Sequence, residues 1–508
     1  MTDSTKNHVF PIARSFVLLS TFICLLCNCA VGPNYKRPET PSPQTYTSSN
    51  QTSATNTHFG KSQIFIPHQD VPKDWWKLFH SKSMNALIEE SFTHNPSVGA
   101  AEEALRAALE NVYAAQGAFY PSIGLSLSPT TQQTAKILTS YLASNKYIYP
   151  LYTGQVFVSY TADVFGGIRR QVASLKAQAT FQALQLEATY LTLAANVANT
   201  AIQEAALHEE ISATKTLIAS QKRIVAIYQQ QLHLGNTAIA DLATQEAALA
   251  AAEATLPPLE KQLAIIRDAL NALIGRLPDD KKTPSINLSS LHLPTHLPLS
   301  LPSALLEHRP DIRAAEEQMH AANELIGVAI ANRLPNVSIG STNGGYTATS
   351  LSTLFLPETQ FWALAGIITH PIFEGGTLMH RQRLAEASYR QAANLYRTTV
   401  INAFQNVADA LNAIKYDAIA LQSANKAKRA AFKSLMISRR QLSLGDSSQL
   451  TLLINEQQYQ QGMLNLIQAQ ANRLSDTVAL FQALGGGWWH KDETLKPLIQ
   501  RSKSNLQQ

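Results

Sequence analysis

The residues of this 508-residue chain that could do chemistry are few, and their spacing separates them quickly. Cys24, Cys27 and Cys29 are the only thiols and all lie within the first 30 residues, so the rest of the chain has no disulfide or thiol chemistry. The 14 histidines are scattered, with no His-x-x-Glu-His and no paired ligand spacing. Gly344-Gly345 and Gly485-Gly486-Gly487 lack the strand-to-helix setting and the lysine of a phosphate loop. The pairs Glu102-Glu103 and Glu316-Glu317 read as solvated helix faces, and Trp75-Trp76 and Trp488-Trp489 as interface anchors. Neither metal nor catalytic constellation is expected, and the chain does not read as an enzyme.

The cysteines have a different use. Lys6 and Arg14 precede the apolar run Phe16 to Leu26, which has the length of a signal-peptide core and is too short to span a membrane. Leu26-Cys27-Asn28-Cys29 resembles a bacterial lipobox, in which an aliphatic residue stands three positions before the cysteine that takes the lipid. Leu26 stands three before Cys29, whereas Cys24 stands three before Cys27, so Cys29 is the expected lipidation site. That covalent lipid is the only cofactor expected. With Ala30 rather than Asp next to it, the lipoprotein pattern implies sorting to a Gram-negative outer membrane. Residues 1–28 are then a signal peptide. Residues 29–73 form an anchored, extended segment, with Gly32-Pro33-Asn34-Tyr35-Lys36-Arg37-Pro38 followed by Pro, Ser, Thr, Gln and Asn to about Lys61.

Composition narrows the remaining possibilities. The chain is 45% hydrophobic but only 15% charged, well below the roughly 25% of soluble domains. Its net charge of +5 is spread without a Lys/Arg block, which sets nucleic-acid binding aside. An internal repeat organises the rest of the chain. Asn95 to Ser126 aligns without gaps on Arg309 to Gly340, pairing Ala100-Ala101-Glu102-Glu103 with Ala314-Ala315-Glu316-Glu317 and Pro121 with Pro335. Further on, Leu232-His233-Leu234-Gly235 aligns with Leu442-Ser443-Leu444-Gly445, and Gly275 with Gly485. The expected plan is repeat 1 over 74–290, repeat 2 over 291–487 and a tail over 488–508.

Within each repeat the most informative feature is an absence. Neither Gly nor Pro occurs from Ile168 to Leu234, or from Thr377 to Leu444. Both runs are rich in Ala, Gln, Leu and Glu, so each predicts one helix of about 100 Å at 1.5 Å per residue, over 168–234 and 377–444. Ile168, Val172, Leu175, Ala179, Ala183, Leu186, Tyr190, Leu193 and Val197 form one seam; Leu184, Leu191, Ala195, Ala198 and Ile202 form a second beside it. Two seams let a helix pack on both sides, which builds a wall or tube rather than a two-stranded coil. Gly235 and Gly445 close the long helices at hairpin tips, and return helices follow over 236–275 and 446–485. Pro257-Pro258 and Gly462 are expected to interrupt them.

Strand-like segments precede each long helix, within about 122–165 and 336–373: Ile123 to Ser128, Gln155 to Phe165, Val337 to Tyr346 and Phe361 to Phe373. Segments near ten residues with apolar alternation suit tilted strands crossing a membrane, joined by exposed loops at about 129–154 and 347–360. Four strands cannot close a barrel, since at least eight are needed and lipid forbids unpaired edges. The chain must oligomerise, and two copies or three would serve. The fold class is mainly α with a β membrane part: a long α-helical coiled-coil barrel plus a transmembrane β-barrel completed between chains, with an internal two-fold repeat.

The Cys29-to-Pro38 segment, Trp75-Trp76-Lys77-Leu78-Phe79, the repeat, Asp163-Val164-Phe165-Gly166, Pro371-Ile372-Phe373-Glu374-Gly375-Gly376 and both Leu-x-Leu-Gly tips together resemble the outer membrane factor family, the TolC-like channels, and nearest its lipoprotein members from RND-type multidrug efflux systems. The resemblance implies a homotrimer with a twelve-stranded outer-membrane barrel, a twelve-helix periplasmic tunnel and an equatorial belt. It implies a periplasmic adaptor and an inner-membrane RND or ABC transporter as partners, outer-membrane lipid around the barrel, and passive exit of drugs or other small molecules. A duct for type I protein secretion is the alternative within the family, and a pore-less periplasmic scaffold fits less well because of the strands. In the family, carboxylates near the tips form a gate. Asp241, six residues after Gly235, matches the first-tip aspartate, while the tip at Gly445 carries Ser447, Thr451 and Ile454 where relatives can have Arg or Asp. Read on its own, Asp241 is a carboxylate favoured by a helix N-terminus.

Overall fold

A computed structural model of the chain describes residues 30–38, 46, 54–55, 62–137, 145–279, 284–300 and 302–488; Cys29 and Trp489 lie outside the described residues. In chain order the elements are β1 (Ala54–Thr55), β2 (Gln63–Pro67), a 3₁₀ turn (Trp75–Phe79), α1 (Lys82–His94), α2 (Pro96–Gln116), β3 (Ser122–Gln133), β4 (Ile148–Ala162), α3 (Gly167–His233), α4 (Ile239–Leu273), β5 (His296–Leu299), α5 (Pro302–His308), α6 (Pro310–Ala331), β6 (Asn336–Ala348), β7 (Gln360–Thr369), α7 (Thr377–Leu444) and α8 (Gln449–Ala483). The order α2-β3-β4-α3-α4 recurs as α6-β6-β7-α7-α8.

Two compact units emerge, and each draws on both halves of the sequence. The first takes Met1–Arg37, Arg106–Phe181 and Ala315–Tyr396; the second takes Pro38–Leu105, Gln182–Ala314 and Arg397–Gln508. In the first, β3, β4, β6 and β7 form one antiparallel sheet in that order. The β3–β4 ladder is unbroken from Ser122↔Ser159 to Gln133↔Ile148. The strands therefore reach well into 129–154, read from sequence as loop: polar side chains there leave the backbone ladder intact. At the other end β7 stops at Thr369 rather than Phe373, because Pro371 has no N–H for the ladder.

In the second unit the core is aromatic. Trp75, Phe79 and Phe481 are fully buried with ring centroids 5.5–6.4 Å apart. A small sheet, β1-β2-β5, lies in the same unit. It is tied to α8 through Gln63, which accepts from Arg473 Nε at 3.2 Å and donates to Thr477 Oγ1 at 3.2 Å. Both return helices are continuous, contrary to the interruptions expected at Pro257-Pro258 and Gly462. The two prolines sit on the exposed face, where water can satisfy the carbonyls they leave without donors. Gly462 instead lets α8 approach α7, since a Cβ there would lie 3.1 Å from the Lys428 Cα.

The two long helices use their seams differently. On α3, Val172, Ala179, Leu186, Leu193 and Val197 of the first seam and Leu184, Ala195, Ala198 and Ile202 of the second are all buried. On α7 one stripe, including Tyr396, Val400, Ala403, Val407, Ile414 and Leu421, is buried. The opposite face shows Leu384, Leu395, Ile401, Tyr416, Ile419 and Ile437, each at least half exposed except Ile437 at 48%.

Candidate functional site

Both helix tips, in the second unit, close in the same way. Gly235 and Gly445 adopt φ of 74° and 78°, the left-handed conformation that costs glycine least. At the first tip Gly235 N–H donates to Leu232 O and Asn236 N–H to Gln231 O; at the second, Gly445 N–H donates to Leu442 O and Asp446 N–H to Gln441 O. These paired bonds satisfy the last carbonyls of α3 and α7. The return helices then start from Ala238 and Ser448, both at φ −85° and ψ 153°. They begin at Ile239 and Gln449, three residues later than the sequence boundaries, because Asn236 to Ala238 and Asp446 to Ser448 form the turn.

The oxygen that caps each return helix comes from opposite ends of the cap. Ala238 has none to offer, so Asp241 reaches back: its Oδ2 accepts from Ala238 N at 3.4 Å and from Thr237 Oγ1 at 3.2 Å. At the second tip Ser448 Oγ accepts from Thr451 N at 3.2 Å, and the Thr451 hydroxyl lies 3.0 Å from Ser448 Oγ. Asp241 is thus a helix-start carboxylate, six residues beyond Gly235. The second tip has an acid too, Asp446, in the turn itself, one residue after Gly445 and ahead of the motif positions 447, 451 and 454.

Above the tips, Ile224 and Tyr228 of α3 pack with Leu453 of α8, and Leu242 of α4 joins them. This brings the two hairpins together near Asp241 and Thr451. Burial and the charge of Asp241 both raise the Tyr228 phenol above its ordinary value. Lys222–Glu253 at 2.9 Å and Lys215–Glu260 at 2.9 Å link α3 to α4; Arg439–Glu456 at 3.3 Å links α7 to α8. The first two are largely exposed and contribute little, about 0–1 kcal/mol each. At the very ends Leu234, Ile239, Leu444, Leu450 and Ile454 stay exposed.

The four-stranded sheet of the first unit has two unlike faces. In register, Ile123, Leu125 and Leu127 of β3 lie beside Val156 and Val158 of β4, then Val337 and Ile339 of β6, then Trp362, Leu364 and Ile368 of β7. Ile123, Leu125, Trp362, Leu364 and Ile368 are 70–81% exposed, far more than a packed apolar face permits. The reverse face is small and polar: Ser122, Ser126, Gln155, Ser159, Ser338 and Thr342. Its larger side chains are Tyr149, Leu151, Phe157, Phe361 and Ile367, and two of them lie over glycines, Phe157 on Gly124 and Phe361 on Gly345. Among the described residues β3 and β7 pair on one side only, and no helix is long and apolar enough to cross a membrane.

Among the other sequence candidates, Cys29 lies outside the described residues. Glu102 and Glu316 are not simply solvated: Glu102 accepts from Tyr190 OH at 3.1 Å, and Glu316 pairs with Arg37 Nε at 3.0 Å. Trp488 does anchor, its Nε1 donating to His308 O at 2.5 Å. A pair missed from sequence lies where the repeats align. Asn95 Nδ2 donates to Leu273 O at 2.8 Å, capping α4, and its counterpart Arg309 donates from Nη1 to Ala483 O at 3.2 Å, capping α8. Both precede a proline in the alignment, the one visible signal.

The open amphipathic sheet of the first unit and the hairpin tips of the second are features of the outer-membrane channel proteins. The family profile described as "Outer membrane efflux protein" matches residues 87–276 and 301–486, and the chain belongs to that family. It is an outer membrane efflux channel protein. It is 27% identical over 417 residues to the pyoverdine export outer membrane protein OpmQ of Pseudomonas putida, covering 82% of this chain and 88% of that one. It is 26% identical over 493 residues to the toluene efflux pump outer membrane protein TtgC of the same species, covering 94% and 97%. Its fold matches the Campylobacter jejuni CmeC outer membrane channel with a TM-score of 0.83 at 22% identity, over 94% of this chain and 98% of that one.

Proposed function

We propose that three copies of this chain close a twelve-stranded barrel and a twelve-helix tunnel, and that the assembly is a passive exit duct for small molecules. The observation that carries the reading is the open sheet: an exposed apolar face, a small polar reverse face and two edges with no partner within the described chain. Lipid would leave such edges unsatisfied, and eight strands is the least that closes a membrane barrel. The exposed apolar face of α7 supports association of the helical parts by the same route. The polar face then lines the lumen. The exposed leucines and isoleucines at the tips suit the grooves of a periplasmic adaptor, through which an inner-membrane transporter delivers substrate and supplies the energy. Cys29 carries the lipid that holds the N-terminus in the outer membrane. TtgC and OpmQ serve toluene efflux and pyoverdine export, which favours small molecules over secreted proteins as cargo here.

The test is single-channel recording on purified protein in planar bilayers, with cross-linking of the same sample. Trimers and discrete conductance steps are expected. Monomers only, or no conductance from the wild type and from Asp241→Ala alike, would overturn the channel reading.

A further inference from the structure

The segment Ala30 to Pro38 carries a motif that duct function leaves unused, and the first unit contains a seat built for it. Five residues at helical spacing on α6, namely Glu316, His320, Asn323, Glu324 and Gly327, face it in reverse order along the chain. Arg37 Nε pairs with Glu316 at 3.0 Å, and Tyr35 stacks on His320 at 4.4 Å between centroids while its hydroxyl donates to Glu316 at 3.4 Å. Asn323 Nδ2 donates to Pro33 O at 3.0 Å. Gly327 leaves the space that Val31 O occupies: a Cβ there would lie 2.9 Å from it. Gly32, at φ 95°, approaches so closely that its own Cβ would stand 2.6 Å from Gly327 Cα.

Arg170 of α3 closes the seat. Its guanidinium donates to Val31 O at 3.2 Å, Gly32 O at 3.3 Å and Asn34 Oδ1 at 2.8 Å, and pairs with Glu324 at 2.8 Å. Both charged side chains are over nine-tenths buried. The planar fork of Arg is what allows one side chain to read two carbonyls and an amide while holding a carboxylate. Val31 N–H donates to Phe165 O, and Ala30 lies against Gly166, where a Cβ would come within 2.7 Å of its Cα. Gly166 follows the end of β4 by four residues.

We propose that this groove is an intramolecular receptor for the N-terminal strap, with Arg170 as its latch, and that the receptor rather than the lipid sets where the chain leaves for the membrane. Ala30 is pinned at the foot of β4, so the docked strap ends at the foot of the sheet. A lipid borne by the segment ahead of the strap would then enter the leaflet at that foot. Arg170 acts as a positioning residue through the strap. Only this last consequence rests on the proposed lipid at Cys29; docking of the strap does not.

Limited trypsin digestion of the full chain in detergent-solubilised outer membranes tests the idea, read at Lys36, since Arg37 precedes a proline that blocks cleavage after it. Arg170→Ala removes the latch. Gly32→Leu expels the strap without altering α3 or α6, and so keeps the test valid if Arg170→Ala does not fold. Each is expected to speed the Lys36 cut at least about tenfold, with the helical melting of Gly32→Leu unchanged, because local opening then costs less. Cys29→Ser is expected to be cut at the wild-type rate. Wild-type protection in Gly32→Leu, or exposure of Lys36 in Cys29→Ser, overturns the proposal. Palmitate labelling of the same samples separates the two ideas: an unlabelled wild type in which Gly32→Leu still exposes Lys36 defeats the lipid reading and leaves the receptor standing.

Discussion

Single residues here act as caps and clamps. Asp241 accepts from the Ala238 amide just ahead of its helix and places a carboxylate near the tip, so Asp241→Ala removes both. The expected result is a larger open conductance in bilayers and faster antibiotic entry into cells expressing it; if both stay at wild-type values, Asp241 is a cap and no gate. Ser448→Ala at the matching position is expected to cost about 1 kcal/mol of stability, measured by thermal melting, with conductance unchanged. Asp476 gives a pH prediction. Burial and the neighbouring Asp417 push its carboxyl up to about 7, against an ordinary 3.8. The folded chain then binds the proton more tightly than the unfolded one, so stability is full below about pH 4 and falls as pH rises through 7. Asp476→Asn should flatten that slope and raise the melting temperature at pH 8. A slope identical to the wild type would show that this carboxyl does not titrate there.

At the scale of elements, glycines that look alike in sequence do different work. Gly235 has open space where a Cβ would go, so Gly235→Ala should cost only the left-handed backbone penalty, about 1–2 kcal/mol. Gly275 has a similar φ of 78°, but a Cβ there would lie 2.3 Å from His94 O. Gly275→Ala should therefore be distinctly the more destabilising of the two, and equal losses in parallel melts would contradict this steric role at the α1–α4 junction. The alignment of Gly235 with Gly445 and Gly275 with Gly485 was visible in the repeat. The steric difference was not, because the obstructing His94 lies 181 positions away in the chain. Pro257-Pro258 shows the opposite limit: local rules predicted a break, yet exposure to water on that face lets the helix run through.

For the whole molecule, the asymmetry between α3 and α7 predicts assembly. α3 buries most of both seams within the chain, whereas α7 leaves Leu395, Ile401 and Tyr416 uncovered. Ile401→Glu together with Leu395→Glu is expected to leave helicity intact and shift the cross-linked species from oligomer to monomer. An unchanged oligomer would mean that this face is not buried between chains.

Periodicity and punctuation are local properties, so the chain alone specified two helices of about a hundred ångströms, their glycine-closed tips, the strands ahead of them and the repeat that relates the halves. Asp241 was legible in the residues only as a carboxylate at a helix start, which is where it stands; its match to a gate acid came from the family resemblance. What only the tertiary structure decided are contacts between residues distant in sequence: Arg170 on Glu324 and the strap, Gln63 on Arg473, Asn95 and Arg309 on the carbonyl ends of α4 and α8. Each of these side chains is polar and part of an ordinary-looking helix, strand or loop. Its role comes from a backbone carbonyl or carboxylate that folding brings within about 3 Å, where burial without a partner would be costly.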